Sequence, residues 1–188
     1  MQDISRTKYD GVAMILHWVT ALLLIFMIIF GEELIEAGEH EEAAEALMNT
    51  AFLPSLHVSF GMAILLLTLL RLIWRALNPP PPYPAAMKSW EVTLSKVTHA
   101  LFYVLMIGIP FTGWLAFGEF LREEPAMSAV RVFGLFAVPA GPDFGEWAKE
   151  LHEIGSNAAM ALVILHVLAA LKHQFVDGDH IFRRMLPH

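Results

Sequence analysis

The sequence predicts an all-α integral membrane protein, a bundle of four transmembrane helices with both termini in the cytoplasm. Three observations carry the prediction. Four stretches along the 188 residues are mostly apolar, and each is close to the 20 or so residues needed to cross a hydrocarbon layer of roughly 30 Å. The chain is 56% hydrophobic and only 16% charged, with a mean hydropathy of +0.55, whereas soluble domains carry about a quarter charged residues. Lysine and arginine are shared unevenly between the connections, which sets an orientation.

The elements follow in order. The first span runs over 12–30, from Val12 to Phe30, behind Arg6 and Lys8. It is too long for a signal-peptide core and no small-x-small cleavage site follows, so it is expected to be retained. Residues 31–55 are rich in Glu and Ala, and a short surface helix is expected around Glu41–Met48. The second span covers 56–74, with Arg71 near its end. Pro79 to Pro82 then end the helix and favour an extended segment. The third span covers 97–117. The longest loop, 118–150, holds an apolar stretch, Val130–Val138, expected to lie along the membrane interface. The fourth span covers 151–171. With no internal repeat, 1–188 reads as a single transmembrane domain.

The composition also excludes several functions. With no cysteine, there is no zinc-thiolate site, no iron–sulfur cluster and no covalently attached c-type haem. A formal net charge of −7 argues against a nucleic-acid partner. That charge is strongly divided. Arg6, Lys8, Arg71, Arg75, Lys88, Lys96, Lys172, Arg183 and Arg184 lie on one side of the predicted spans; Arg122, Arg131 and Lys149 lie on the other. The nine-residue side is the expected cytoplasmic one. It carries five acids for a balance of +4, and the outer side carries fourteen for a balance of −11.

Of nine histidines, His40, His180 and His188 fall in loops or the tail, and six lie within or at the edge of spans. An ionisable group in hydrocarbon is a functional hypothesis by default. His152 and His166 of the fourth span are 14 residues apart, which places them about 40° from alignment and roughly 21 Å apart along the axis. Each then needs a partner at its own depth. His17 lies about 8 Å in from the inner side, as His166 does, and His57 begins the second span at the outer surface beside His152. The pairs are therefore His17 with His166 and His57 with His152.

Two facing imidazoles from neighbouring helices suit the axial positions of a b-type haem. A bare transition-metal ion is the competing chemistry, without extra carboxylate or thiolate ligands at either depth. Gly61, Gly108, Gly113 and Gly155 are small enough for a flat ring to approach, and small residues also serve helix packing. Near the inner surface, Arg71 and Arg75 read either as topology-setting residues or as partners of haem propionates. His99 and His173 are candidates for a quinone site, and His99 is also an alternative ligand for the inner haem.

Taken together, these residues resemble the prokaryotic cytochrome b561 family of four-helix dihaem membrane cytochromes. The resemblance rests on Leu16-His17-Trp18, on Leu56-His57-Val58-Ser59-Phe60-Gly61 ahead of Arg71, and on His99 with Pro110 and Gly113. It continues through Leu151-His152-Glu153, Leu165-His166 with His173, and Arg184-Met185-Leu186-Pro187. It implies four haem ligands, at His17, His57, His152 and His166. It implies two haem b, a place in the bacterial inner membrane among lipid, and superoxide oxidase activity. Such an enzyme takes an electron from superoxide at the outer face and reduces ubiquinone.

The acidic outer face bears on that expectation, because a superoxide-attracting surface should be positive. Arg122, Arg131 or Lys149 would have to form a local positive funnel. Otherwise the face suits a cationic periplasmic electron carrier, or docking as the membrane-anchor cytochrome b subunit of a larger dehydrogenase or hydrogenase. A non-redox metal-ion conduit built on the histidine pairs is a third class.

Overall fold

Asp10 starts the first helix. In the computed structural model, which describes residues 8–36, 46–123, 125–139, 141, 144 and 146–186, its carboxylate accepts from the Ala13 N–H at 2.9 Å and caps α1 (Gly11–Phe30). The same oxygen accepts from the Trp74 indole at 3.0 Å, so the cap also ties α1 to the far end of the next long helix. A single turn, α2 (Glu33–Glu36), follows.

Only the last residues of the surface helix expected around Glu41–Met48 are described. Residues 41–45 lie outside the described residues, and from Ala46 the chain is already the start of α3 (Ala46–Leu77). That helix ends where Asn78 meets the proline run. The third long helix, α4 (Ser89–Glu123), has 35 residues and rises about 52 Å, well beyond a hydrocarbon layer of about 30 Å. Its continuation to Glu123 shortens the predicted 118–150 loop. The last long helix is α5 (Glu146–Lys172).

Among the described residues, four helical stretches are long and apolar enough to cross a membrane: Gly11–Phe30, Ala51–Leu77, Ser89–Glu123 and Glu146–Asp177. Each contains one of the sequence-derived spans. Their outward faces are apolar rather than polar; Ile15 and Leu22 are both about two-thirds exposed, at 64% and 66%. Lipid is the solvent that suits such surfaces. Thr20 and Thr68 have their hydroxyls met internally, as hydrocarbon demands. Thr20 donates to its own helix at Leu16 O, and buried Thr68 donates to Met106 Sδ at 3.7 Å. At mid-depth Leu24, Ile64 and Met106 meet, with Val163 packed against them, so all four long helices contribute to one apolar layer.

Between α4 and α5 lies a 3-10 turn, Pro125–Ala129, and then a small antiparallel hairpin, β1 (Arg131–Val132) with β2 (Phe136–Ala137). The apolar stretch Val130–Val138 is therefore strand and turn, with Val130 and Val132 buried and the tip exposed. Phe133 and Gly134 turn the chain at φ 52° and 69°. The left-handed region costs an L-residue other than glycine about 1–2 kcal/mol.

At the opposite end, α5 passes into a wider π-helical turn, His173–Asp177, and a 3-10 turn, Ile181–Met185, brings the tail back to α1. Tyr9 N–H donates to Arg184 O at 3.2 Å, and Arg184 reaches Pro82 O at 2.8 Å. Burial pushes the Tyr9 phenol above its ordinary range, opposed by the guanidiniums of Arg75 and Arg184.

Candidate functional site

The helices bring the sequence-predicted histidines together at two levels. At the end away from the termini, the ring centres of His57 (α3) and His152 (α5) are 6.1 Å apart. At the terminal end, His17 (α1) and His166 (α5) are 6.4 Å apart. An imidazole nitrogen binds a first-row metal at about 2 Å, so ring centres roughly 6 Å apart would leave room for one metal ion shared between the two rings. Both pairs have that spacing, and the Leu24–Ile64–Met106 layer lies between them along the helices.

The far pair is oriented by main chain. His57 Nδ1–H donates to Gly31 O at 2.8 Å, a carbonyl left free where α1 ends. His152 Nδ1–H donates to Ile109 O in α4, also at 2.8 Å. A carbonyl can only accept, so in both rings Nδ1 carries the proton and Nε2 keeps its electron pair for a ligand. The second contact exists because α4 lacks a side chain at Gly113. A Cβ there would lie 2.9 Å from both Cε1 and Nδ1 of His152. At Gly61 and Gly108 a Cβ would meet no atom within 4 Å, while at Gly155 it would meet Ile109 Cγ1 at 3.0 Å. The glycines therefore differ: Gly113 seats a histidine and Gly155 seats one helix on another.

The terminal-end cluster is larger than a pair. His99 (α4) also lies near His166, at 5.8 Å between ring centres, and its Nδ1–H donates to Ser95 O at 2.7 Å. His17 Nδ1 is buried without a hydrogen-bond partner. Arg71 lies within electrostatic reach of His17, His99 and His166. Its guanidinium sits 5.9 Å over the Tyr103 ring, and no carboxylate among the described residues is paired with it. Arg75, one turn on, is exposed. An imidazole cluster with an orphan nitrogen and an uncompensated cation fits a group that offers both a metal and acidic side arms, as haem does.

His173 stands apart from this cluster, at the start of the π-turn. Its Nδ1–H donates to Asp179 at 2.7 Å and lies 3.1 Å from Asp177. Lys172 bridges Asp177 and Glu91, at 2.6 and 2.7 Å. This chain of charges joins the start of α4 to the end of α5. Of the cations at the end away from the termini, Arg131 turns back onto Ser128 O and Val130 O, and Lys149 lies 5.4 Å over the Phe120 ring.

Sequence reasoning left Trp18 without a role. Its ring meets His17 edge-on at 5.2 Å, and its indole N–H donates to Met185 O at 2.7 Å, fastening the tail beside that histidine. The Leu16-His17-Trp18 and Arg184-Met185 elements are thus two halves of one contact. Trp18→Phe removes a hydrogen bond worth about 1 kcal/mol and is expected to speed tryptic cleavage at Arg183–Arg184 about fivefold. An unchanged cleavage rate would separate the tail from Trp18.

A model of the family described as prokaryotic cytochrome b561 matches residues 8–188. The chain belongs to that family. Among its relatives, "Cytochrome b561 homolog 2" of Escherichia coli is 27% identical over 184 residues, covering 95% of this chain and 91% of the relative. "Probable superoxide oxidase CybB" of Yersinia pestis is 27% identical over 190 residues, 96% of each chain. "Cytochrome b562" of Cereibacter sphaeroides is 28% identical over 178 residues, 95% of this chain and 94% of the relative. As a member of that family the chain is a membrane electron-transfer protein of b-type haem, and its described residues include four helices long and apolar enough to cross a membrane. Its histidine geometry suits that chemistry.

Proposed function

We propose that this protein is a dihaem cytochrome of the bacterial inner membrane that moves electrons between the periplasmic face and the quinone pool, with superoxide as donor and ubiquinone as acceptor. The observation that carries the reading is the pair of facing imidazole couples, at 6.1 and 6.4 Å, that share α5. His57 and His152 hold the outer haem, and His17 and His166 the inner one, in a single domain with both termini cytoplasmic. The basic bias of the terminal side supports that orientation.

Bound at these sites, haem supplies one-electron exchange. The chain orients its imidazoles through Gly31 O and Ile109 O and offers Arg71, with Arg75 beyond it, to the propionates. Toward a quinone, His173 presents Nε2, because Asp179 holds its Nδ1–H; His99 is the second candidate. Overall, two superoxide anions each lose one electron and become O2. One ubiquinone takes the two electrons with two protons and becomes the quinol.

The test is a superoxide pulse on purified protein with a soluble ubiquinone analogue. Quinol is expected to form, with superoxide decaying faster than with haem-free protein. A decay no faster than that control would overturn the superoxide assignment.

One observation favours a second reading. An open cleft of about 290 Å³ is lined by Glu119, Glu123, Glu146, Glu150 and Glu153 with Lys149, and Glu153 adjoins His152. Such a surface suits a cationic periplasmic carrier or the basic face of a redox subunit better than an anion. Co-purification of a stoichiometric redox subunit from mild detergent would support an anchor; a lone active cytochrome would oppose it.

A further inference from the structure

We propose that the 131–137 hairpin is a membrane-surface anchor, with Phe133, Leu135 and Phe136 embedded at the boundary between lipid headgroups and acyl chains. The proposal rests on reading the four long helices as membrane spans. Its first support is depth. Arg131 N–H donates to Ser55 Oγ at 2.9 Å and Phe133 N–H donates to Ser59 Oγ at 2.7 Å, so β1 lies along the first turns of the apolar stretch Ala51–Leu77. Phe144 and Trp147, in edge-to-face contact with ring centres 5.4 Å apart, lie at the same end, where aromatic residues favour the interface.

The second support is the backbone. The N–H groups of Arg131 in β1 and of Phe133, the first turn residue after it, are met by serine hydroxyls rather than left for water. Ser59 itself donates to Ser55 O, and Ser55 to Ala51 O, so the hydroxyls are satisfied in turn. That accounting is demanded of a strand edge out of contact with water.

The third support is the tip. Phe133, Leu135 and Phe136 are 50%, 74% and 65% exposed, and Phe52 on the adjoining turn of α3 is 59% exposed. The apolar surface is continuous with the lipid-facing side of the bundle. Residues 125–139 contain no acid and one arginine, on the side to which the sequence assigns fourteen acids. Phe133 also occupies a positive-φ turn position that glycine or asparagine fills without strain. An aromatic retained there, half-exposed and strained, finds its compensating burial outside the chain.

Because the chain has no cysteine, Leu135→Cys provides a unique site for a polarity-sensitive fluorophore. The labelled holoprotein is placed in phosphatidylethanolamine–phosphatidylglycerol vesicles with iodide supplied on both sides of the bilayer, because the reference, Ala85→Cys on the exposed proline-rich connection, lies at the opposite end of the bundle from the hairpin. An unchanged visible haem spectrum establishes that the bundle is intact. Quenching by headgroup-proximal nitroxide lipid is expected at 135, with iodide quenching at least about fivefold weaker than at 85. Phe136→Cys provides a second reporter with the same expectation. Iodide quenching at 135 and 136 equal to that at 85 would overturn the proposal. Protection from iodide without quenching by nitroxide lipid would overturn it too, pointing to a protein cover such as a second copy.

Discussion

Replacing His57 or His152 by alanine is expected to lower the haem content from two to about one per chain, measured by pyridine haemochrome. On the proposed dihaem reading, each imidazole is one of two nitrogen ligands at its site. A single axial histidine leaves a b-type haem, which has no covalent link to the protein, with half its iron–protein bonds. His17→Ala and His166→Ala are expected to do the same at the other site, leaving the bands of the His57/His152 haem. His99→Ala is the discriminating variant, since His99 lies as near His166 as His17 does. It is expected to keep both haems. Loss of a haem in His99→Ala, with none lost in His17→Ala, would make His99 and His166 the inner pair. Two haems retained in His57→Ala would overturn the outer pair.

Gly113→Ala has the second large expected effect, although position 113 offers no ligand. The added methyl would stand 2.9 Å from His152 Cε1 and Nδ1, closer than real Cβ contacts come. The ring must shift, and the 2.8 Å bond to Ile109 O is lost with it. Loss of a partner that orients a metal-binding histidine typically costs 10- to 100-fold in metal affinity. The outer haem is therefore expected to dissociate about 10- to 100-fold more readily, with far-UV circular dichroism unchanged. A variant that holds both haems as tightly as the parent would show that the Gly113 contact does not set the ring.

The histidine pairs were legible because depth in a spanning helix is a count of residues, and facing helices must match at equal depth. His57 and His152 come together on that logic alone. What stayed hidden depends on contacts distant in sequence or on local backbone choices. Nothing near Lys172 announces that it will bridge Glu91, 81 positions away, and no periodicity announces the π-turn that gives His173 two carboxylate neighbours. The stretch Val130–Val138 was visible as apolar, but a short apolar run does not announce that it folds as a hairpin. Hydropathy also marks only the hydrocarbon part of a helix, so residues 97–117 represented α4 while its charged first turns and its extension to Glu123 went unseen.

The acceptors that orient the His57 and His152 imidazoles are main-chain atoms, and this has a consequence for how the fold withstands sequence drift. Every residue type supplies a carbonyl, so no single exchange at position 31 or 109 deletes the acceptor itself. By contrast, the partner that holds His173 is the Asp179 carboxylate, which one substitution removes. Divergence to 27% identity, as between this chain and its E. coli and Y. pestis relatives, can rewrite the side chains around the outer site while the polypeptide itself continues to present the same two oxygens.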